Sequence, residues 1–153
     1  ARQGMPISYH HHMAAAIETE EELDMLMKHS TVPLLFDAGH MAFAGGDVLR
    51  VLDKHHDRIT HVHTKDIRRP VVDGLDRSKE SFLDAVVKGA FTVPGDQEGG
   101  VDFGPLLKIL AGAKYDGWIV IEAEQDPKVR NPLLYQTLGL ATLKRLSREA
   151  GLI

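Results

Sequence analysis

The sequence predicts an α/β fold built on a parallel sheet. Short apolar runs of strand character alternate with stretches at helical spacing, and the links between runs are long enough for crossover helices. Each apolar run also ends in His, Asp or Glu. Composition agrees, since 153 residues with 43% hydrophobic and 26% charged side chains suit a single globular domain over 1–153.

The elements follow in order. Pro6-Ile-Ser-Tyr9 leads as a strand into the polar triplet His10-His11-His12. Thr19-Glu-Glu-Glu22 fits a capping box, and Leu23, Leu26 and Met27 supply the apolar side of the helix it opens. Pro33-Leu-Leu-Phe36-Asp37 is a buried-strand run. Ala38 to Gly46 reads as a loop before Asp47, the N-cap of a helix through His55 that buries Val48, Leu49, Val51 and Leu52. The third strand spans Ile59 to about Lys65.

The rhythm then breaks. A lid-like excursion at about 66–101 contains one helix, Lys79 to Lys88, with Phe82, Leu83, Val86 and Val87 on one side. It closes in the turn-rich Val93-Pro-Gly-Asp96-Gln-Glu-Gly-Gly100. A connection this long is usually functional or flexible. Asp102 caps a helix carrying Leu106, Ile109, Leu110 and Ala113, and Tyr115-Asp-Gly117 turns into the last strand, Trp118 to Glu122. Asn131-Pro132 opens the final helix, with Leu133, Leu140, Leu143 and Leu146 on its apolar face.

Charge and composition remove several classes of function. A net charge of −4 gives no basic footprint for nucleic acid or a membrane surface. The absence of cysteine excludes disulfides, thiolate zinc sites and a cysteine nucleophile. No apolar run approaches the ~18 residues of a membrane span, and no signal-peptide pattern is present. A cytoplasmic setting is the default expectation.

The strand ends carry the chemistry. They offer His10 and His12, then Asp37, then His61 and His63, then Glu122 and Glu124. Parallel α/β folds gather ligands at the carboxyl ends of their strands. A divalent ion needs imidazoles and carboxylates converging from separate segments, and four successive units supply them here. His61 and His63 share a strand face by the period of two. Glu122 follows Ile-Val-Ile, where a charge is costly unless paired or metal-bound. His29, His55 and His56 read as structural, the latter two at a helix C-terminus.

Asp37-Ala-Gly-His40, His61-Val-His63-Thr-Lys65-Asp66 and Ile121-Glu122 resemble the last three metal-site segments of the xylose-isomerase-like TIM barrels. Within that superfamily the inosose (2-keto-myo-inositol) dehydratases are more similar still. Tyr9-His-His-His-Met13, Phe43-Ala-Gly-Gly-Asp47, Ser81-Phe-Leu-Asp-Ala85, Phe91-Thr-Val-Pro-Gly-Asp96 and Val120-Ile-Glu-Ala-Glu-Gln-Asp-Pro127 carry that likeness through nearly the whole chain.

The resemblance implies a partial (β/α)8 TIM barrel, roughly strands 5–8 with their helices. Four strands cannot close such a barrel, so the partner would be a missing N-terminal half-barrel or a second copy. It implies a metal held by His10, Asp37, His63 and Glu122, with His12 the rival of His10. The first position is Glu in the superfamily's epimerases, so a histidine there argues against their two-carboxylate mechanism. The implied ion is Mn2+ or Co2+, with Zn2+ compatible, and glutathione enters by family association alone.

The implied reaction is a hydro-lyase step, loss of water from 2-keto-myo-inositol in inositol catabolism. His40 and Glu122 would exchange the protons and Lys65 would assist the oxyanion. His12, His40, Lys65 and Arg69 (or Arg68, by a shift of register) would touch the small cyclitol or sugar substrate. A sugar isomerase or epimerase, or a non-catalytic metal-binding fragment, are the alternative readings.

Overall fold

The computed structural model describes residues 3–153. Strands β1 (Tyr9–His10), β2 (Leu34–Asp37), β3 (Ile59–His63) and β6 (Trp118–Val120) form a four-stranded parallel sheet in the order β1-β2-β3-β6. Between β3 and β6, strands β4 (Asp66–Ile67) and β5 (Phe91–Thr92) pair antiparallel as a separate ribbon. The helices are α1 (Glu20–His29), α2 (Ala38–Phe43), α3 (Val48–His55), α4 (Arg69–Asp73), α5 (Phe82–Val87), α6 (Phe103–Gly112) and α7 (Pro132–Glu149).

Local chemistry explains the helix starts. Thr19 and Glu22 complete the expected capping box on α1, and Leu23 and Met27 turn inward while Met25 stays exposed. Asp47, Asp102 and Asn131 cap α3, α6 and α7 as the sequence predicts. The main core lies between the sheet and these helices, with Leu23, Phe36, Leu52, Val62, Leu106 and Leu110 packed together. Register sets the strand ends in a row, pairing Asp37 with His63 and His63 with Val120.

Several expectations are corrected. Ala38–Phe43 is helix, because Asp37 accepts the His40 N–H and caps a turn that the glycine-flanked sequence concealed. The third strand stops at His63, so Lys65 lies beyond the sheet. Glu122 likewise follows β6 without belonging to it. The excursion helix begins at Phe82, capped by Ser81, and its apolar side is Phe82, Ala85 and Val86, with Leu83 and Val87 exposed. On α7 only Leu143 of the predicted face is buried, Leu146 is half-buried, and Leu133 and Leu140 are exposed. His55 is structural as expected, but through a 2.7 Å bond to Asp24.

The excursion has its own small core of Met13, Phe43, Ile67, Ala85 and Phe91. Arg68 fastens it. Its buried guanidinium donates to the carbonyls of Gly89 and Phe91 (2.8 Å each), to Thr92 Oγ1 (2.9 Å) and to Asp96 Oδ2 (2.6 Å). A planar fork with several fixed donors suits this task in a way a lysine ammonium does not. Asp66 joins the two ends of the excursion by accepting the N–H groups of Ile67, Gly100 and Val101.

Arg68→Ala strands the Asp96 carboxylate and several carbonyls, so a loss of about 3–5 kcal/mol is expected. Urea denaturation measures it, and a loss under 1 kcal/mol would show that the network does not hold the excursion.

Candidate metal and acid–base site

Asp37 is the centre of the site. Its side chain is fully buried at the end of β2. Oδ1 accepts the His40 N–H at 3.0 Å, which caps α2. Oδ2 faces His10 Nε2 and His63 Nδ1, each at 3.3 Å, and Lys65 Nζ at 3.7 Å. The D-x-x-H spacing therefore has a local cause: an N-cap carboxylate binds the amide three residues on, and that residue is His40.

His10 and His63 reach this point from β1 and β3. Glu122 arrives from the segment after β6, with Oε2 2.9 Å from His63 Nδ1. His12 does not contact Asp37 in the same way. Its ring lies 3.6 Å from that of His40, and its Nδ1–H donates to the Met13 carbonyl at 2.6 Å.

Behind these groups lies Lys65, fully buried. Its ammonium donates to His40 Nε2 at 2.8 Å and to Glu124 Oε2 at 2.5 Å, and pairs with Glu122 Oε2 at 3.0 Å. The Met13 N–H approaches His40 Nδ1 only at 3.4 Å. A neutral imidazole has one lone pair, and the shorter contact from Lys65 takes it. The stem of Lys65 passes over α2 at Gly39, where an added Cβ would stand 2.5 Å from Lys65 Cγ. The glycine of Asp37-Ala-Gly-His40 thus makes room for the lysine.

Two site residues were missing from the predicted set. His11 is wholly buried and its Nε2 accepts the Asp37 N–H at 3.0 Å. It sits one residue out of phase with His10 and His12, and the period of two was the available signal. Glu124 stood among the strand-end carboxylates without a role. Its φ of +45°, rare for a residue with a Cβ, returns its side chain to Lys65. Arg69, expected at the substrate, is exposed at the start of α4, and among the described residues no hydrogen bond or ion pair joins it to the cluster. Its neighbour Arg68 is engaged in the excursion.

The electrostatics separate the groups. Burial would raise the Asp37 carboxyl, but the close His10 and His63 rings and the charge of Lys65 hold it well below the usual range. Burial would lower His63, but Asp37 and Glu122 overcome it and keep the imidazole charged in the absence of metal. The close approach of His63, outweighing burial and joined by the charge of Lys65, holds Glu122 low. Burial and the charge of Lys65 push His40 far down despite Asp37, so it is neutral.

The donor set suits a divalent ion. Ligand atoms of Asp37, His63 and Glu122 lie within 4.8 Å of one another, as do those of His10, Asp37 and His40. Moreover, His63 Nδ1 and Glu122 Oε2 are buried and make no hydrogen bond despite their closeness. A proton or a metal shared among them would satisfy both.

Comparison with known proteins decides the lineage. A family model described as xylose isomerase-like TIM barrel matches residues 1–146. The chain belongs to the xylose isomerase-like TIM barrel family. The rhizopine catabolism protein MocC of Rhizobium meliloti is 48% identical over 153 residues, 99% of this chain and 46% of that protein. An inosose dehydratase of Clostridium botulinum is 49% identical over 147 residues, 94% of this chain and 49% of that enzyme. The chain spans about half the length of the curated relatives it matches. The IOLI protein, crystallised with a zinc atom, shares the fold at a TM-score of 0.57 and 15% identity, over 98% of this chain and 49% of that chain.

Two expectations follow. Gly39→Ala lies in a helix, where alanine is ordinarily favoured by about 1 kcal/mol. Here it should destabilise the protein instead, because the buried Lys65 stem cannot withdraw; a raised melting temperature would refute the packing role. For His11, burial lowers the imidazole from 6.5 to about 4, with Asp37 opposing. Its stabilising contribution is complete above 6.5 and is lost as pH falls toward 4, by about 3 kcal/mol in all. His11→Gln can still accept the Asp37 N–H, and denaturation curves from pH 7.5 to 4 should flatten by about that amount. An unchanged slope would remove His11 as the source.

Proposed function

We propose that this chain carries the metal site of an inosose dehydratase, removing water from 2-keto-myo-inositol. The observation that carries the reading is the match over nearly the whole chain to enzymes of that name, at 49% identity for the Clostridium botulinum relative. It is supported by the convergence of His10, Asp37, His63 and Glu122. We also propose that the chain forms about half of a barrel. β1 and β6 lie at the two edges of the sheet, and Trp118 on β6 is 75% exposed.

In this reading Asp37, His63 and Glu122 hold a divalent ion with His10 as the fourth ligand. The zinc atom of the IOLI structure supports a divalent metal, and the mixed imidazole and carboxylate set also accepts Mn2+ or Co2+. When bound, the ion supplies Lewis-acid stabilisation of the enolate formed next to the ketone.

The residues divide the proton work by accessibility. Glu122 is 41% exposed in its side chain and reaches the open side of the site. It takes the proton α to the ketone. The bond from the β-carbon to its hydroxyl then breaks, and the oxygen leaves as water with the proton that Glu122 has taken, which restores the carboxylate. The resulting enol tautomerises to the 1,2-dione. His40 and Lys65 are both fully buried, so both act as positioning residues: His40 accepts from the ammonium, and the ammonium holds the carboxylates of Glu122 and Glu124 in place. His12, on the outer side of His40, is the imidazole nearest the substrate side of that pair.

Incubation of the intact protein with 2-keto-myo-inositol should give a product lighter by one water in mass spectrometry. Glu122→Gln should lower kcat by about 10²–10⁴-fold. A product of unchanged mass and altered stereochemistry would establish an epimerase instead. Turnover by this chain alone at the rate of the intact enzyme would overturn the half-barrel reading.

A further inference from the structure

We propose that the Lys65 ammonium occupies a second cation position beside the metal site, and so restricts the centre to one divalent ion. This rests on the metal reading above.

Ligand atoms of His12, His40 and Glu124 lie within 4.8 Å of one another, in a cluster separate from Asp37, His63 and Glu122. Such a set of two imidazoles and a carboxylate is itself competent to hold a divalent ion. The place is taken. Lys65 Nζ stands 2.8 Å from His40 Nε2 and 2.5 Å from Glu124 Oε2. His12 completes the set, with its ring 3.6 Å from that of His40 and its Nδ1–H donating to the Met13 carbonyl.

Two carboxylates stand between the positions, as they do in two-metal centres. Glu122 Oε2 is 2.9 Å from His63 Nδ1 on one side and 3.0 Å from Lys65 Nζ on the other. Asp37 Oδ2 is 3.3 Å from His63 Nδ1 and 3.7 Å from Lys65 Nζ. The ammonium therefore bears the same relation to the bridging carboxylates that a second ion would, with the difference that it carries a single charge and exchangeable protons. The lysine stem is fixed in this place by burial and by the close approach at Gly39.

The test uses the intact protein, stripped of metal and titrated with Mn2+ alone, read by metal content and by electron paramagnetic resonance. Wild type is expected to retain one ion per chain at all Mn2+ concentrations, as is Lys65→Arg. Lys65→Ala is expected to retain two, with the exchange-coupled spectrum of ions about 3.5–4 Å apart. Lys65→Ala with Glu124→Ala should return to one. Lys65→Ser serves if the alanine variant is misfolded by circular dichroism. Two ions in wild type, one ion in the folded Lys65 variants, or a second ion without coupling would each overturn the proposal. No ion in wild type would instead overturn the metal reading on which it rests.

Discussion

The buried carboxylate of Asp37 is the constraint from which the rest of the site follows. An ionised carboxylate removed from water costs several kcal/mol unless hydrogen bonds and opposite charges replace the solvent. Here each oxygen has a separate task. Oδ1 closes the first turn of α2, and Oδ2 faces two imidazoles and an ammonium. The amide of Asp37 is held in turn by His11. Folding of the β2–α2 junction and assembly of the site are therefore one event, since the same residue ends the strand, starts the helix and centres the charges.

The parallel register then determines which groups meet it. Asp37 pairs directly with His63, and His63 with Val120, so Glu122 lies two residues past the last paired position. A shift of one residue in β3 would turn His63 away from the site and bring Val62 in. The full burial of Val62 in the core opposes that shift. Hydrophobic packing thus fixes the polar geometry from behind the sheet.

Legibility from sequence followed this division of labour. The alternating apolar runs, the caps and the polar groups at the strand ends depend on local patterns and could be read directly, while the choice of His10, Asp37, His63 and Glu122 among those groups came from the family resemblance. What escaped depended on tertiary context. Arg68 has the composition of a surface residue, and only the ring of carbonyls supplied by Gly89 and Phe91 permits its burial. Glu124 reaches Lys65 because the backbone adopts a conformation that no side-chain pattern encodes. Helix α2 was hidden because its six residues sit between a functional carboxylate and two glycines, and they are wholly buried, which erases amphipathic periodicity.

The excursion is bound to the same centre more closely than its length suggests. Asp66, which ties its two ends together, follows Lys65 immediately in the chain. At its far side, Gln125 donates to the Phe91 carbonyl at 3.2 Å, one residue after Glu124. The Phe91 ring lies against both Lys65 and His40. The buried ammonium is thus enclosed by residues of α2, of the segment after β6 and of the excursion. A displacement of any of these would separate Lys65 from Glu124 or His40 and leave its buried ammonium uncompensated. That cost explains why so long an insertion carries its own core and an arginine clamp: the charge cluster requires a rigid wall on this side, and a loosely attached loop could not provide one.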